Sequence, residues 1–252
     1  MDDKKVSKIF EEILKLQTKP IAVKLCKENN NEQCSQIRYK INVCQMVAMA
    51  RYHKKVTSQK ASGMVCALGA SCLGLMKTKE TFISGSAVVG RYVKDEKSGK
   101  KFISNVYKLG DIGKQYELIT VGPLGEVENP SSVVLYVNAA QVLPLIHANG
   151  FDSGDKISFE TVAEGALCEA IALSVGKGKV HIGFPCAGDR RFGGTQKDEL
   201  IFSMPYKELF RISKNLEDLT NLGVSVYPIA PNVMWTPMMP EAYTITEEDL
   251  KP

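Results

Sequence analysis

Two stretches decide how this chain reads: Asn42 to Leu75, NVCQMVAMARYHKKVTSQKASGMVCALGASCLGL, and Leu167 to Gly194, LCEAIALSVGKGKVHIGFPCAGDRRFGG. Each has a cysteine near its start, followed by Gln or Glu, then an apolar helix-like run and a short β-like run. Each then reaches Cys-Ala at a glycine-rich turn. Cys44 thus corresponds to Cys168, and Cys66 to Cys186. If two such halves fold alike and face each other, four thiols remote in sequence meet at one point. An all-thiolate set of that kind is an address for a metal cluster.

Upstream of the first stretch, Val6, Ile9, Ile13 and Leu14 recur at helical spacing, which predicts an amphipathic helix ending before Lys19-Pro20. Pro20 to Leu25 reads as a buried strand in which Lys24 is the odd residue. A lysine is rarely buried without a partner, so Lys24 is a candidate for holding an anionic substrate. Asn42 and Gln45 form a capping box that starts the next helix, placing Cys44 in its first turn, where unpaired amides favour the thiolate. Gly63 to Val65 reads as a short strand leading to Cys66. Gly85 to Gly90 reads as a strand followed by a charged loop to Lys101.

Glu117 to Val121 and Ser132 to Val137 are β-like runs separated by Gly and Pro turns. The second run is aligned with the strand at Ile21 to Leu25. The helix carrying Cys168 begins either at a capping box, Thr161 with Glu164, or later at Gly165. Lys179 to Gly183 reads as a strand, and Pro185 to Gly194 as the loop at its end. In that loop Asp189 and Arg190 either bind an anion or close a turn as an ion pair. Glu199 to Met204 is a further strand. Pro205 opens a helix whose Leu209, Ile212, Leu216 and Leu219 face the core. From Tyr227 to Pro252 the prolines forbid regular structure, while Met234, Trp235, Met238 and Met239 are too apolar for water. This arm is expected to wrap its own domain or a neighbouring subunit.

Composition narrows the class. Of 252 residues, 44% are hydrophobic and 24% charged, enough apolar content for a full core. Thirty-two basic against 28 acidic residues leave +4, which is slight and reads as evenly spread, so neither nucleic acid nor membrane is an expected partner. No apolar run approaches the roughly 18 residues that span a bilayer. The mixed-charge N-terminus is neither a signal nor a transit peptide, and a cytoplasmic protein is expected. Seven cysteines in such a chain read as thiols or ligands and not as disulfides. Cys26, Cys34 and Cys72 lack counterparts in the other half, although Cys72 is near enough to Cys66 to replace it as a ligand. No pair among His53, His147 and His181 has a zinc-enzyme spacing. Phosphate-loop and serine-hydrolase motifs are absent as well.

Taken together, Pro20-Ile21-Ala22-Val23-Lys24, Cys44, Cys66-Ala67-Leu68-Gly69, Gly122-Pro123-Leu124, Glu164-Gly165-Ala166-Leu167-Cys168 and Cys186-Ala187-Gly188-Asp189-Arg190 resemble one family. It is the uncharacterised family of domain of unknown function 169, the ArCR-like proteins. The resemblance runs from about Lys19 to about Leu219. It implies a protein typical of anaerobic archaea and bacteria, and it implies no reaction.

The resulting expectation is an α/β or α+β fold of two pseudo-repeated halves, each a small sheet with packed helices, sharing one core. Residues 1–115 would form the first half, 116–226 the second, and 227–252 a C-terminal arm. Cys44, Cys66, Cys168 and Cys186 are the expected ligands of a [4Fe–4S] cluster, with [2Fe–2S] or zinc as alternatives. Lys24 and Arg190 are the expected substrate-binding cations. The function expected is anaerobic redox chemistry, as an electron carrier or as an oxidoreductase acting on a small anionic substrate. Its partner would be that anion or a redox protein, with self-association through the arm. The competing class is a non-redox ligand-binding or structural-metal protein with buried cysteines.

Overall fold

The computed structural model describes residues 2–28, 35–37, 39–230 and 239–251. Helix α1 (Asp3–Leu14) starts where the Asp2 carboxylate accepts the Lys5 amide at 2.8 Å, and buries Val6, Ile9, Phe10 and Leu14. After β1 (Ile21–Cys26) and the two-residue β2 (Ser35–Gln36) comes α2 (Val43–His53). Its capping box is formed as expected: Gln45 N–H donates to Asn42 Oδ1 at 2.8 Å, and Asn42 N–H donates to Gln45 Oε1 at 3.0 Å. Then follow β3 (Thr57–Gln59), α3 (Ala67–Cys72), α4 (Glu80–Ile83), α5 (Glu96–Ser104), β4 (Leu118–Pro123) and β5 (Ser132–Val137). The remainder is α6 (Ala139–Gly150), α7 (Ala166–Lys177), β6 (His181–Gly183), α8 (Ala187–Phe192), β7 (Leu200–Pro205) and α9 (Leu209–Asn221).

The strands form one seven-stranded sheet in the order β2-β3-β4-β1-β5-β7-β6, antiparallel throughout except for β2 against β3. Alternation along the strands sends side chains to two cores. Ile21, Val23, Leu25, Val134, Tyr136 and Ile201 join the core covered by α2, α3 and α7. Ala22, Val133, Leu135, Val137, Phe202 and Met204 join the core covered by α1, α6 and α9. The molecule is therefore a mixed α/β sandwich of three layers, with every motif cysteine on the α2–α3–α7 side. Among the described residues, no helix is long and apolar enough to cross a membrane.

Several sequence expectations change. The alignment of Val133–Val137 with Ile21–Leu25 is out by one residue, because Ile21 and Val133 point to opposite faces. Strand β4, assigned to the half at 116–226, pairs with β1 and β3 of the other half, so the 115/116 boundary cuts through one set of paired strands. Gly85 to Gly90 is not a strand: a short 3₁₀ turn at Ser86–Val88 lies between Gly85 and Gly90, whose φ of 85° and 74° end extended structure. A Cβ on Gly85 would lie 2.1 Å from Lys100 N, so only glycine lets this turn rest against α5. In the arm, Met234, Trp235 and Met238 lie outside the described residues. Ile229, Met239, Tyr243, Ile245 and Leu250 are each more than half exposed.

One buried ion pair ties the layers together. The Arg51 side chain on α2 is fully enclosed and pairs with Glu199, which precedes β7. Its guanidinium lies 3.7 Å over the Tyr136 ring of β5, and its Nε donates to Thr18 Oγ1 at 3.2 Å. Removing one member of such a pair strands the other charge, so Glu199→Leu is expected to cost about 3–5 kcal/mol in urea unfolding. Adding Arg51→Met should restore part of the loss. A Glu199→Leu protein as stable as the wild type would show that the pair holds nothing together.

Candidate functional site

The structure gathers Cys44, Cys66, Cys168 and Cys186 on one side of the sheet, each at or near a helix start. Cys44 is the second residue of α2 and Cys168 the third of α7, whose N-cap is Gly165 in the left-handed region. The later of the two expected starts for the Cys168 helix is therefore the real one. Cys66 and Cys186 occupy equivalent places as the N-cap residues of α3 and α8. Gly69 N–H donates to Cys66 Sγ at 3.3 Å; burial raises the Cys186 thiol above its ordinary value, and the amides of Asp189 and Ala166 that face its sulfur offset only part of that rise.

Glycine permits the closest approach. A Cβ on Gly69 would stand 3.0 Å from Cys168 Sγ and 3.5 Å from Cys66 Sγ, so two of the four sulfurs rest against one Cα. The thiols also act on one another electrostatically. Burial raises the Cys168 thiol well above its ordinary value, and the negative charges of Cys44, Cys72, Cys66 and Cys186 raise it further. Cys44 is raised by burial, then by Asp189, Cys186 and Cys66. Ionising all four thiols together therefore needs positive charge at their centre. Cys66 is exposed and opens the group to solvent, while Cys44, Cys168 and Cys186 are buried. Cys72 adjoins the group from inside, fully buried beside Gly165 and the Glu169 carboxylate. Cys34 lies outside the described residues.

A single tetrahedral ion draws its thiolates to about 2.3 Å, which crowds the sulfurs closely. Among the described residues, no group of three or more His, Cys, Asp or Glu side chains is arranged to hold one ion.

The structure places the two expected substrate cations apart. Lys24 alternates with Val23 and Leu25, so it projects to the sheet face opposite the thiols. Arg190 is exposed, and its Nη1 donates to Gln196 O at 3.1 Å, so no desolvation demands an anion beside it. Asp189 does not pair with Arg190. It is completely buried, accepting from Tyr136 O–H at 3.0 Å to each carboxylate oxygen and from Thr195 Oγ1 at 2.9 Å. Burial raises its carboxyl above the usual range, while Thr195, Tyr136 and Arg51 pull it back down.

Sequence reading missed Tyr136, Thr195, Arg51 and Glu199, because each looks ordinary in its own segment. It also saw Glu164 only as a cap. In the structure Glu164 is flanked by Ala163 and Gly165, both at positive φ, and one of its carboxylate oxygens is buried without a partner. Burial raises its carboxyl, the Tyr92 hydroxyl stands beside it, and its charge reaches Cys186.

Residues 9–215 match the model of a family described as uncharacterised ArCR. The chain belongs to this family. It is the family that the ordered cysteine and glycine motifs resemble. The uncharacterized protein MJ0308 of Methanocaldococcus jannaschii is 24% identical over 218 residues, covering 84% of this chain and 92% of that protein. No solved structure matches.

Differences in burial lead to a distinct chemical order. In metal-free protein at pH 8, iodoacetamide is expected to modify Cys66 first, and to leave Cys44, Cys72 and Cys168 as protonated thiols until the chain unfolds. Peptide mass mapping over time reads this directly. Equal labelling of all four would contradict the burial described here.

Proposed function

We propose that Cys44, Cys66, Cys168 and Cys186 hold an iron–sulfur cluster of the [4Fe–4S] type, and that the protein serves anaerobic redox metabolism. The reading rests chiefly on one observation: four thiols from four separate helix starts lie within range of one another's charge. Random core cysteines have no reason to recur as one pair of N-cap residues, Cys66 and Cys186, and one pair in first helical turns, Cys44 and Cys168. When bound, such a cluster would accept or donate single electrons.

We also infer that the chain is built of two similar halves. Within the sheet, β3-β4-β1 and β5-β7-β6 repeat one order outward from the β1–β5 contact, and that contact is antiparallel, as a two-fold relation requires. The boundary then falls after β4. Under this relation α2 would correspond to α7 and α3 to α8, which would bring Cys66 onto Cys186 and Cys44 to within one helix position of Cys168.

The chain's own groups would divide the work. Gly69 leaves room for sulfur, and its amide and those facing Cys186 stabilise thiolate charge. Tyr136 and Thr195 fix Asp189 so that α8, and with it Cys186, keeps one position. The open side at Cys66, with Glu164 and Tyr92 nearby, is where a small substrate or an electron-transfer protein would approach. The exposed apolar residues of the C-terminal arm suit self-association.

Anaerobic expression and reconstitution test this. A brown protein with about four iron and four acid-labile sulfide per chain is expected. Serine at any of the four positions should sharply lower the iron content, whereas Cys72→Ala should retain it. Two iron per chain would point to a [2Fe–2S] centre. Colourless, iron-free protein after reconstitution, or full loading in all four serine variants, would end the cluster reading.

A further inference from the structure

The net charge that reads as evenly spread in the sequence is concentrated in one place. Residues 77–101 contain Lys77, Lys79, Arg91, Lys94, Lys97, Lys100 and Lys101 against Glu80, Asp95 and Glu96. Removing that segment leaves 25 basic and 25 acidic residues, so these 25 residues carry the whole +4 of the chain. All seven cations are exposed. Among the described ion pairs, none engages any of them. Of the three acids, Asp95 is occupied as the N-cap of α5, accepting Ser98 N–H at 2.8 Å.

This segment is held in one unit and set beside the thiols. Gly85 and Gly99 bring the 3₁₀ turn and α5 into backbone contact, and Tyr92 stacks on Phe102 with centroids 5.9 Å apart. Tyr92 also stands against Glu164, within charge range of Cys186. Ile83 and Tyr92 remain 43% and 49% exposed among the cations. Apolar and aromatic anchors within a charged rim are the usual make-up of a protein interface.

We propose that the segment carrying α4 and α5 is the docking surface for an acidic protein, the electron-transfer partner of the cysteine site. The partner's role rests on the cluster reading, whereas the surface does not. Were the four cysteines to hold a cluster, the exchange would be a single electron passed from the partner's reduced centre, with no bond made or broken. Seven clustered cations steer an acidic surface over about one Debye length, roughly 8 Å at physiological ionic strength, and salt weakens that attraction. Single-stranded nucleic acid is disfavoured because Tyr92 is the one exposed aromatic residue among these cations, too few for a stacking platform. A membrane is disfavoured because Ile103, an apolar residue of α5, is buried in the protein.

The test uses the full chain, purified anaerobically, with a small acidic two-cluster ferredoxin as probe. Titration calorimetry should give a Kd that weakens by about tenfold or more between roughly 20 and 200 mM salt. Combining Lys97→Glu, Lys100→Glu and Lys101→Glu should weaken binding at low salt by a similar factor. Lys4→Glu, Lys5→Glu and Lys8→Glu on α1, on the far layer, should change it less than twofold. Absence of binding at low salt, or equal losses in the two triple variants, overturns the proposal. So does tighter, α5-dependent binding of duplex DNA or of phosphatidylserine vesicles. Because binding is measured without turnover, a colourless preparation that still binds the probe would refute the cluster and leave the surface standing.

Discussion

The antiparallel contact between β1 and β5 is the constraint on which the rest of this molecule depends. Ile21 stands opposite Val134, and Val23 opposite Ser132, so the register fixes which residues of both strands face α2 and α7. A slip of one residue would turn Val134 and Tyr136 to the other layer. Tyr136 would then lose Asp189, and α8 would lose the contact that fixes Cys186 at its start. Backbone pairing at the centre of the sheet thus reaches the thiols through a single tyrosine.

Around that tyrosine, a polar network is enclosed in an otherwise apolar layer. Arg51 lies on the ring face, Asp189 accepts from the hydroxyl, Glu199 neutralises Arg51 and Thr195 completes the Asp189 shell. Such a network is costly when incomplete and specific when satisfied, because each member has few geometries in which its partners can all be met. It joins α2, β5, α8 and the approach to β7, the elements that surround the cysteine group. Placing fixed charges close to buried thiols also makes their ionisation depend on the surroundings. Cys44 is held protonated partly by Asp189, so a cation delivered to the centre would reverse a balance that the protein itself sets.

Exposure and charge divide the thiol region into an inside and an outside. Cys72 and Glu169 lie inward, with Glu169 accepting the Tyr107 amide at 2.7 Å and so anchoring the basic excursion to α7. Cys66, Val65 and Tyr92 lie outward. The excursion returns to the body through Lys108, whose ammonium is buried against the Ile103 and Val106 carbonyls. Its remaining cations stay in water, where long side chains can meet a partner without a desolvation cost inside the core.

Local pattern was enough for much of this. Asn42 with Gln45 announces α2, and β-branched runs announce β1 and β5. Two recurring Cys-Ala turns announce matching positions, because each signal is a short-range rule of capping, alternation or turn chemistry. The same rule could have located α6, since Asn138 and Gln141 form a second capping box. What the sequence could not contain was direction. Whether Lys24 faces the thiols is decided by the pairing of β1 with β4 and β5. Whether Asp189 meets Arg190 or Tyr136 is decided by where α8 lies on a strand more than fifty residues earlier. The sequence by itself determined the start of α2, the family and the pairing of the four cysteine motifs, because each of those signals is written in a few neighbouring residues. Only the tertiary structure decided that those thiols share one neighbourhood, that Tyr136 and Arg51 support it, and that seven cations collect beside it. Long-range pairing has no local signature, because the partners are chosen by which faces of the sheet must be buried.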